Sequence, residues 1–310
     1  MSPGDELPSA CGSNKAEGFI TGNGQTSQLA LLRLMQIVSQ GSPTGAFSYS
    51  QGLEWAVEAG WVYDIHTFES WVREQLQGTL AQQELPLMLR LYRAFEVCAS
   101  ETRAPEVAAP EANSREAIAP EADARKAAAG DSRVAEPGAA EPGLPDMRVS
   151  ETYVADAAST KRVMQLEATV LSFRETSELR DEERKRGQAM ARLVTQLNSE
   201  IKFAGGGGGN ACNCQLSVFT EYCVAEGITV QHGMHGYAFA WLESQVMAGI
   251  KLVPLGQTSG QQVLYRLAEE IDQCVACAQS VLDDDVGYSS PALAMASSQH
   301  ETQYSRLFRS

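Results

Sequence analysis

The sequence predicts an all-α protein, one compact multi-helix domain, and three observations carry that expectation. Apolar residues recur at spacings of three and four in one stretch after another, the period of a helix with one buried face. No stretch alternates apolar and polar residues as a half-buried strand would. Pro and Gly fall mostly between the periodic stretches. An apolar fraction of 44% in 310 residues is enough for a real core.

Residues 1–27 are polar and rich in Gly and Ser, and read as a disordered tail. Leu31, Leu34, Met35 and Val38 mark a first short helix, broken by Pro43 and Gly45. After the turn at Gly45–Glu54, Leu53, Ala56 and Val57 give a second helix, capped by Ser48 or Ser50 and ended by Gly60. Asp64 caps a third that carries Phe68, Trp71, Val72, Leu76 and Leu80. Leu85, Met88, Tyr92 and Phe95 form the stripe of a fourth, with Pro86 in its first turn.

Residues 100–151 change character. Ala, Pro and Glu dominate, and acidic residues recur every fifth position from Glu101 to Glu121, a period that fits no helix. This reads as a flexible insertion, with transient helix at Glu121–Ala129. Order is expected to return near Tyr153, with Val163, Leu166 and Val170 on a helix that runs to Arg174. The run Glu178–Arg186 is nearly all charged and reads as a solvated helix face with pairs such as Asp181–Lys185, the rival reading being an association surface. Met190, Leu193, Val194, Leu197 and Ile201 follow.

A second flexible insertion spans 204–214. Its glycines lack the Lys-Ser/Thr and the preceding strand of a phosphate loop. Leu216, Phe219 and Cys223 resume the helical pattern, and Met234, Tyr237, Ala238, Trp241 and Leu242 build the next helix, stopped by Pro254. One last long helix is expected from Thr258 through Val263, Leu264, Leu267, Ile271 and Val275 to Leu282, followed by an extended C-terminal tail over 286–310.

Composition narrows the function classes. A net charge of −15 opposes a nucleic-acid surface, which needs clustered Lys and Arg. No run of about eighteen apolar residues is present to span a membrane. The polar N-terminus has no signal-peptide core, and seven cysteines, an odd number, fit reduced thiols, so the expected compartment is the cytoplasm. No histidine stands in a nucleophile–base signature. His232/His235 and Cys274/Cys277 each have the i,i+3 spacing that pinches a metal, but each pair supplies two ligands where a closed site needs four. Small buried helix residues explain the cysteines better. Cys212/Cys214 stands on the same footing.

The turn itself carries the most information. Pro43-x-Gly45-Ala46-Phe47-Ser48-Tyr49-Ser50-Gln51-Gly52-Leu53-Glu54 places two aromatics where a mere connector favours Gly, Asn, Asp and Ser. Together with Arg174-Glu175-Thr176 and Glu178-Leu179-Arg180, Lys251–Gln261, and the ending His300–Ser310, it resembles the urease accessory protein UreF family, in order and across nearly the whole chain. The resemblance implies a helical, non-catalytic accessory protein of urease maturation. Its implied partners are a UreD/UreH-type accessory protein, the GTPase UreG and apo-urease, with a homodimer inside the complex. No cofactor is expected to bind tightly, and nickel is handled by the complex. The expected partner-binding residues are Phe47, Tyr49, Ser50, Glu54, Arg174, Glu175, Arg180, Gln257, Gln261, His300, Glu301, Tyr304, Arg306, Leu307 and Phe308. The tail, ending in aromatic, basic and apolar residues, is expected to fold back on the Gly45–Tyr49 turn when a partner binds. The alternative is a metallochaperone that carries nickel on its own His and Cys pairs.

Overall fold

A computed structural model describes residues 25–103, 157–199, 201, 203, 214–288 and 290–310. The expected tail through residue 24, the insertions over 104–156 and 204–213, the helix at Glu121–Ala129, Tyr153 and Cys212 lie outside the described residues. Those that are described form helices and connections, with no strand among them.

The helices are α1 (Gln28–Val38), α2 (Leu53–Glu58), α3 (Ile65–Gln75), α4 (Leu85–Arg103), α5 (Ala157–Ser172), α6 (Ser177–Leu197), α7 (Gln215–Ala225), α8 (Val230–Leu252), α9 (Gln257–Ala268), α10 (Ile271–Ser280) and α11 (Pro291–His300). The centre is α8, which packs against α1, α2, α3, α4, α7, α9 and α10. It is buried nearly all round, as a central helix must be, with Met234, Tyr237, Ala238, Trp241, Leu242 and Val246 in the core. Its end at Leu252 agrees with Pro254. Asp64 caps α3 as expected, in a capping box: its carboxylate accepts from Thr67 N at 2.8 Å, and Thr67 Oγ1 accepts from Asp64 N at 3.0 Å.

The structure departs from the sequence reading in five places. In α1 the buried face is Ala30, Leu34 and Ile37, while Met35 is 66% exposed, so the stripe is rotated. The second helix begins after Gly52, not at a serine, although Ser50 Oγ still accepts from Glu54 N at 3.4 Å. The third and fourth helices form one continuous rod, joined by a π-helical segment, Leu76–Glu84. Pro86 therefore sits inside the rod. It has no N–H for the carbonyl of Gln82, and that carbonyl accepts from Gly287 N at 3.1 Å. The expected long last helix is divided after Ala268 into α9 and α10, and Leu282 lies beyond α10, 69% exposed. Finally, α11 occupies part of the stretch read as extended tail.

Burial pushes Glu167 on α5 up to about 7, partly offset by a hydrogen bond from the Ser217 hydroxyl on α7. The folded chain therefore keeps a proton that the unfolded chain releases in the ordinary carboxylate range, and this group's contribution falls as pH rises toward 7. Glu167→Gln is expected to narrow the difference in Tm between pH 5 and pH 8. Thermal melts that give wild type and variant the same difference would contradict this.

Candidate partner-binding site

The turn that opens the site is built on left-handed backbone. Gly45 has φ +78°, and Gln51 and Gly52 follow one another at +52° and +81°. Gly52 is required twice, because a Cβ there would also lie 2.9 Å from Ser297 N, where α11 crosses. Ser50 N and Gln51 N both donate to the Ser310 carbonyl, at 2.6 and 3.0 Å, and Ser50 Oγ donates to it at 2.6 Å. Arg309 N donates to Ser48 O at 2.8 Å. The end of the sequence is thus received by the signature turn within a single chain, and the expectation that docking waits for a partner is corrected. Backbone donors, which the sequence pattern does not display, make most of the contact, with the Ser50 hydroxyl beside them.

Carboxylates hold the rest of this terminal strap, residues 304–310. Glu54 accepts from Leu307 N at 2.5 Å and Phe308 N at 2.8 Å. It also faces His300 Nε2 at 3.2 Å, while Glu178 faces His300 Nδ1 at 2.6 Å. His300 is fully buried. Each ring nitrogen therefore faces a different carboxyl group, and the imidazole bridges the two. The other oxygen of Glu178 accepts from Arg306 Nη1 at 2.5 Å. Phe308 is buried, with Lys251 Nζ 5.4 Å from its ring centre, and Ser310 Oγ donates to Glu182 at 3.0 Å.

Behind the strap lies a second charged cluster. Arg174, at the α5–α6 junction, is buried and donates to Glu84 at 2.5 Å and to Glu183 at 2.7 and 3.1 Å. Tyr237 OH donates to Glu84 at 2.8 Å, and Leu216 N to Glu183 at 2.9 Å. Burial opposes the charge on Arg174, but Glu84 and Glu183 hold the guanidinium protonated well above its usual range. Burial and the same two carboxylates push the Tyr237 phenol upward, which keeps it a donor. Gln51 joins the clusters: its amide donates to Glu182 at 3.0 Å and its oxygen accepts from Trp241 Nε1 at 2.9 Å.

The solvated-face reading of Glu178–Arg186 therefore holds only in part. Asp181 and Lys185 pair at 2.8 Å on the outside, as expected. Glu182, Glu183 and Arg186 are buried, with Arg186 donating to Glu182 at 2.7 Å. A run of charges looks uniformly hydrophilic until the opposite charges on other elements are in place.

The expected partner-binding residues divide accordingly. Phe47, Tyr304 and Leu307 are exposed, and Arg306 partly so. Tyr49, Ser50, Glu54, Arg174, His300 and Phe308 are buried inside the chain, so what they offer a partner is the position of their neighbours. Glu301 caps the start of α6, accepting from Ser177 N at 2.8 Å and Glu178 N at 3.2 Å. Arg180 donates to the Arg174 carbonyl at 2.7 Å. Glu175 is exposed, as are Gln257 and Gln261, which stand on α9, outside the strap cluster. Sequence reasoning missed Gln51, Glu178 and Glu182. For Glu178 there was a signal, its place in the motif beside Arg174 and in the first turn of a helix.

The His and Cys pairs have other partners. His235 Nε2 faces Asp272 Oδ1 at 2.6 Å, and His232 Nδ1 faces the hydroxyls of Thr26 and Thr229 at 2.8 Å. Cys274 is buried, which pushes its thiol up to about 12, and Cys277 accepts from the Gln82 amide at 3.2 Å. Among the described residues no group of three or more His, Cys, Asp or Glu is placed to hold a metal. Nor is any helix among them long and apolar enough to cross a membrane.

Breaking a buried ion cluster by removing one partner typically costs about 3–5 kcal/mol. Arg174→Ala is expected to lower unfolding stability by about that amount, because Glu84 and Glu183 are left buried together. Chemical denaturation checks this, and a loss below about 1 kcal/mol would show that the cluster is dispensable.

Comparison with known proteins agrees with this architecture. The sequence profile of the family described as UreF matches residues 148–268. A urease accessory protein UreF of Pseudomonas putida (strain W619) is 38% identical over 286 residues, covering 92% of this chain and 99% of the relative. The protein of that name from Klebsiella pneumoniae (strain 342) is 35% identical over 280 residues, covering 90% and 97%. That from Alcanivorax borkumensis is 33% identical over 291 residues, covering 91% and 98%. With this identity sustained along nearly the full length of its relatives, the chain belongs to the urease accessory protein UreF family.

Proposed function

We propose that the chain is a cytoplasmic scaffold for urease maturation, which binds a UreD/UreH-type accessory protein and recruits the UreG GTPase for nickel insertion into apo-urease. Its family is one of accessory proteins, not enzymes. The observation that carries the reading is the strap. Tyr304 and Leu307 are exposed side chains on a backbone tied down at Leu307, Phe308, Arg309 and Ser310. Exposed aromatic and aliphatic groups on a fixed loop, beside an arginine with donors to spare, have the character of binding anchors.

Exposed Phe47 on the receiving turn extends this surface, and Glu175 and Arg180 flank it on the α6 side. Gln257 and Gln261 on α9 offer a second surface, for the other partner. Homodimerisation is supported by a separate apolar stripe, Leu29, Leu32 and Met35, exposed on α1. The chain needs no tightly bound cofactor in this role. Nickel travels with the complex, and the acidic surface raises the local concentration of cations. The scaffold couples its partners because both surfaces rest on one rigid core.

Urease activation in cells tests the proposal. Arg306→Ala, and separately the pair Tyr304→Ala with Leu307→Ala, are expected to abolish activation while helicity and Tm stay as in wild type, because all three side chains point outward. Normal urease activity in cells carrying only these variants would refute it.

A further inference from the structure

We infer that the chain holds a monovalent alkali cation, potassium or sodium, in a buried polar cavity beside the π segment. The site goes beyond the scaffold role and does not depend on it. The cavity has a volume of about 30 Å³, room for about two water-sized particles. Gln75 on α3 and Thr79 and Gln83 on the π segment line it, and their spacing of four keeps them on one side of the rod. All three are at least nine-tenths buried, at 2%, 9% and 4% exposure. None of their side chains bonds to another group among the described residues. Buried polar groups ordinarily have partners, so three without one around a single small cavity point to a ligand there. π turns often mark functional sites.

Charge decides what the ligand is. Glu84 and Arg174 line the same cavity. Their cluster sets one guanidinium against two buried carboxylates, Glu84 at 2.5 Å and Glu183 at 2.7 Å. Glu183 also accepts from Leu216 N at the start of α7, which eases its charge. The second group on Glu84 is the Tyr237 hydroxyl, a neutral donor. One negative charge is therefore in excess on the Glu84 side, and one positive charge in the cavity balances it. An anion is repelled there, and a divalent ion suits a site richer in carboxylates. An alkali ion accepts neutral oxygens in place of its water shell. The amide oxygens of Gln75 and Gln83 and the Thr79 hydroxyl supply three, with the charge of Glu84 beside them.

The connector after α10 walls one side of the cavity with Tyr288 and Ser290. Gly287 N donates to Gln82 O at 3.1 Å, and Ser290 Oγ donates to Glu74 at 2.8 Å. Tyr288 lies so close to Gly78 that a Cβ there would meet its ring at 2.3 Å. A cation in this place joins α3, the π segment and the connector through oxygens that otherwise bond nothing.

Thermal melts of the purified full-length protein test the inference, run in potassium chloride, sodium chloride and choline chloride at equal ionic strength. Choline is too large for the cavity and reports the general effect of salt. Tm is expected to be higher in one of the alkali salts than in choline by about 3 °C, the shift that a modest stabilisation gives a chain of this size. The salt with the larger shift identifies the ion. In Thr79→Val and in Gln83→Met, which keep the side-chain volume but remove an oxygen, the three melts should coincide. Equal Tm in all three salts for wild type would overturn the inference, leaving ordered water as the occupant. An alkali preference that persists in both variants would also overturn it, because the ion would then sit elsewhere. If neither variant folds, crystals of the wild-type protein grown with thallium(I) acetate decide. An anomalous peak among Gln75, Thr79, Gln83 and Glu84 is expected, and its absence overturns the inference.

Discussion

Everything at the functional end of this molecule depends on a buried imidazole between two carboxylates. His300 has no exposure, and Glu54 and Glu178 reach it from α2 and α6. Desolvating such groups is costly, and the arrangement survives only because the remaining lone pairs are also satisfied. They are: Glu54 takes two strap amides and Glu178 takes Arg306. Removing His300 would leave Glu54 and Glu178 without the group that bridges them. The chain therefore has strong reason to keep its signature turn, the start of α6 and its last residues in one arrangement.

The second buried cluster explains how α6 comes to stand there. Arg174 ends the connection between α5 and α6 and is clamped by Glu84 from the π segment and Glu183 from α6. Tyr237 and Leu216 complete the coordination of those carboxylates from α8 and α7. One guanidinium thus sets the position of α6 against the core, and α6 sets Glu178 and Glu182 against the strap. Arg174 acts on the binding surface through position alone, which accounts for a motif arginine that no partner can touch.

Much of this was legible in the sequence. Stripes such as Phe68-Trp71-Val72 and Leu85-Met88-Tyr92 gave the core faces because burial imposes the helical period. Asp64 marked its helix start because its cap is a local contact. The stripe of α1 was misread because that helix is apolar on both sides, and period alone cannot say which face is buried. The π segment was illegible because its wider turn leaves no mark in residue type, and Pro86 invited a helix start. The site divided the same way. Motif matching found the turn and the tail, but whether Glu182 or Lys185 faces inward depends on partners more than a hundred residues away, such as Ser310 and Gln51. The docking itself uses Ser50 and Gln51 backbone amides, which no side-chain pattern encodes.

The strap, tied to the turn within a single chain, is a preformed part of the scaffold. A preformed strap spares the partner the ordering cost that a mobile tail would impose, and so favours tight, orientation-specific docking. Hydrogen exchange of the Leu307 and Phe308 amides in the isolated full-length protein tests this most directly, since both donate to the Glu54 carboxylate. The account predicts exchange well slower than at frayed helix ends or in an unstructured peptide, before any partner is added. Exchange at the rate of an unstructured peptide, becoming slow only in the presence of a partner, would contradict it.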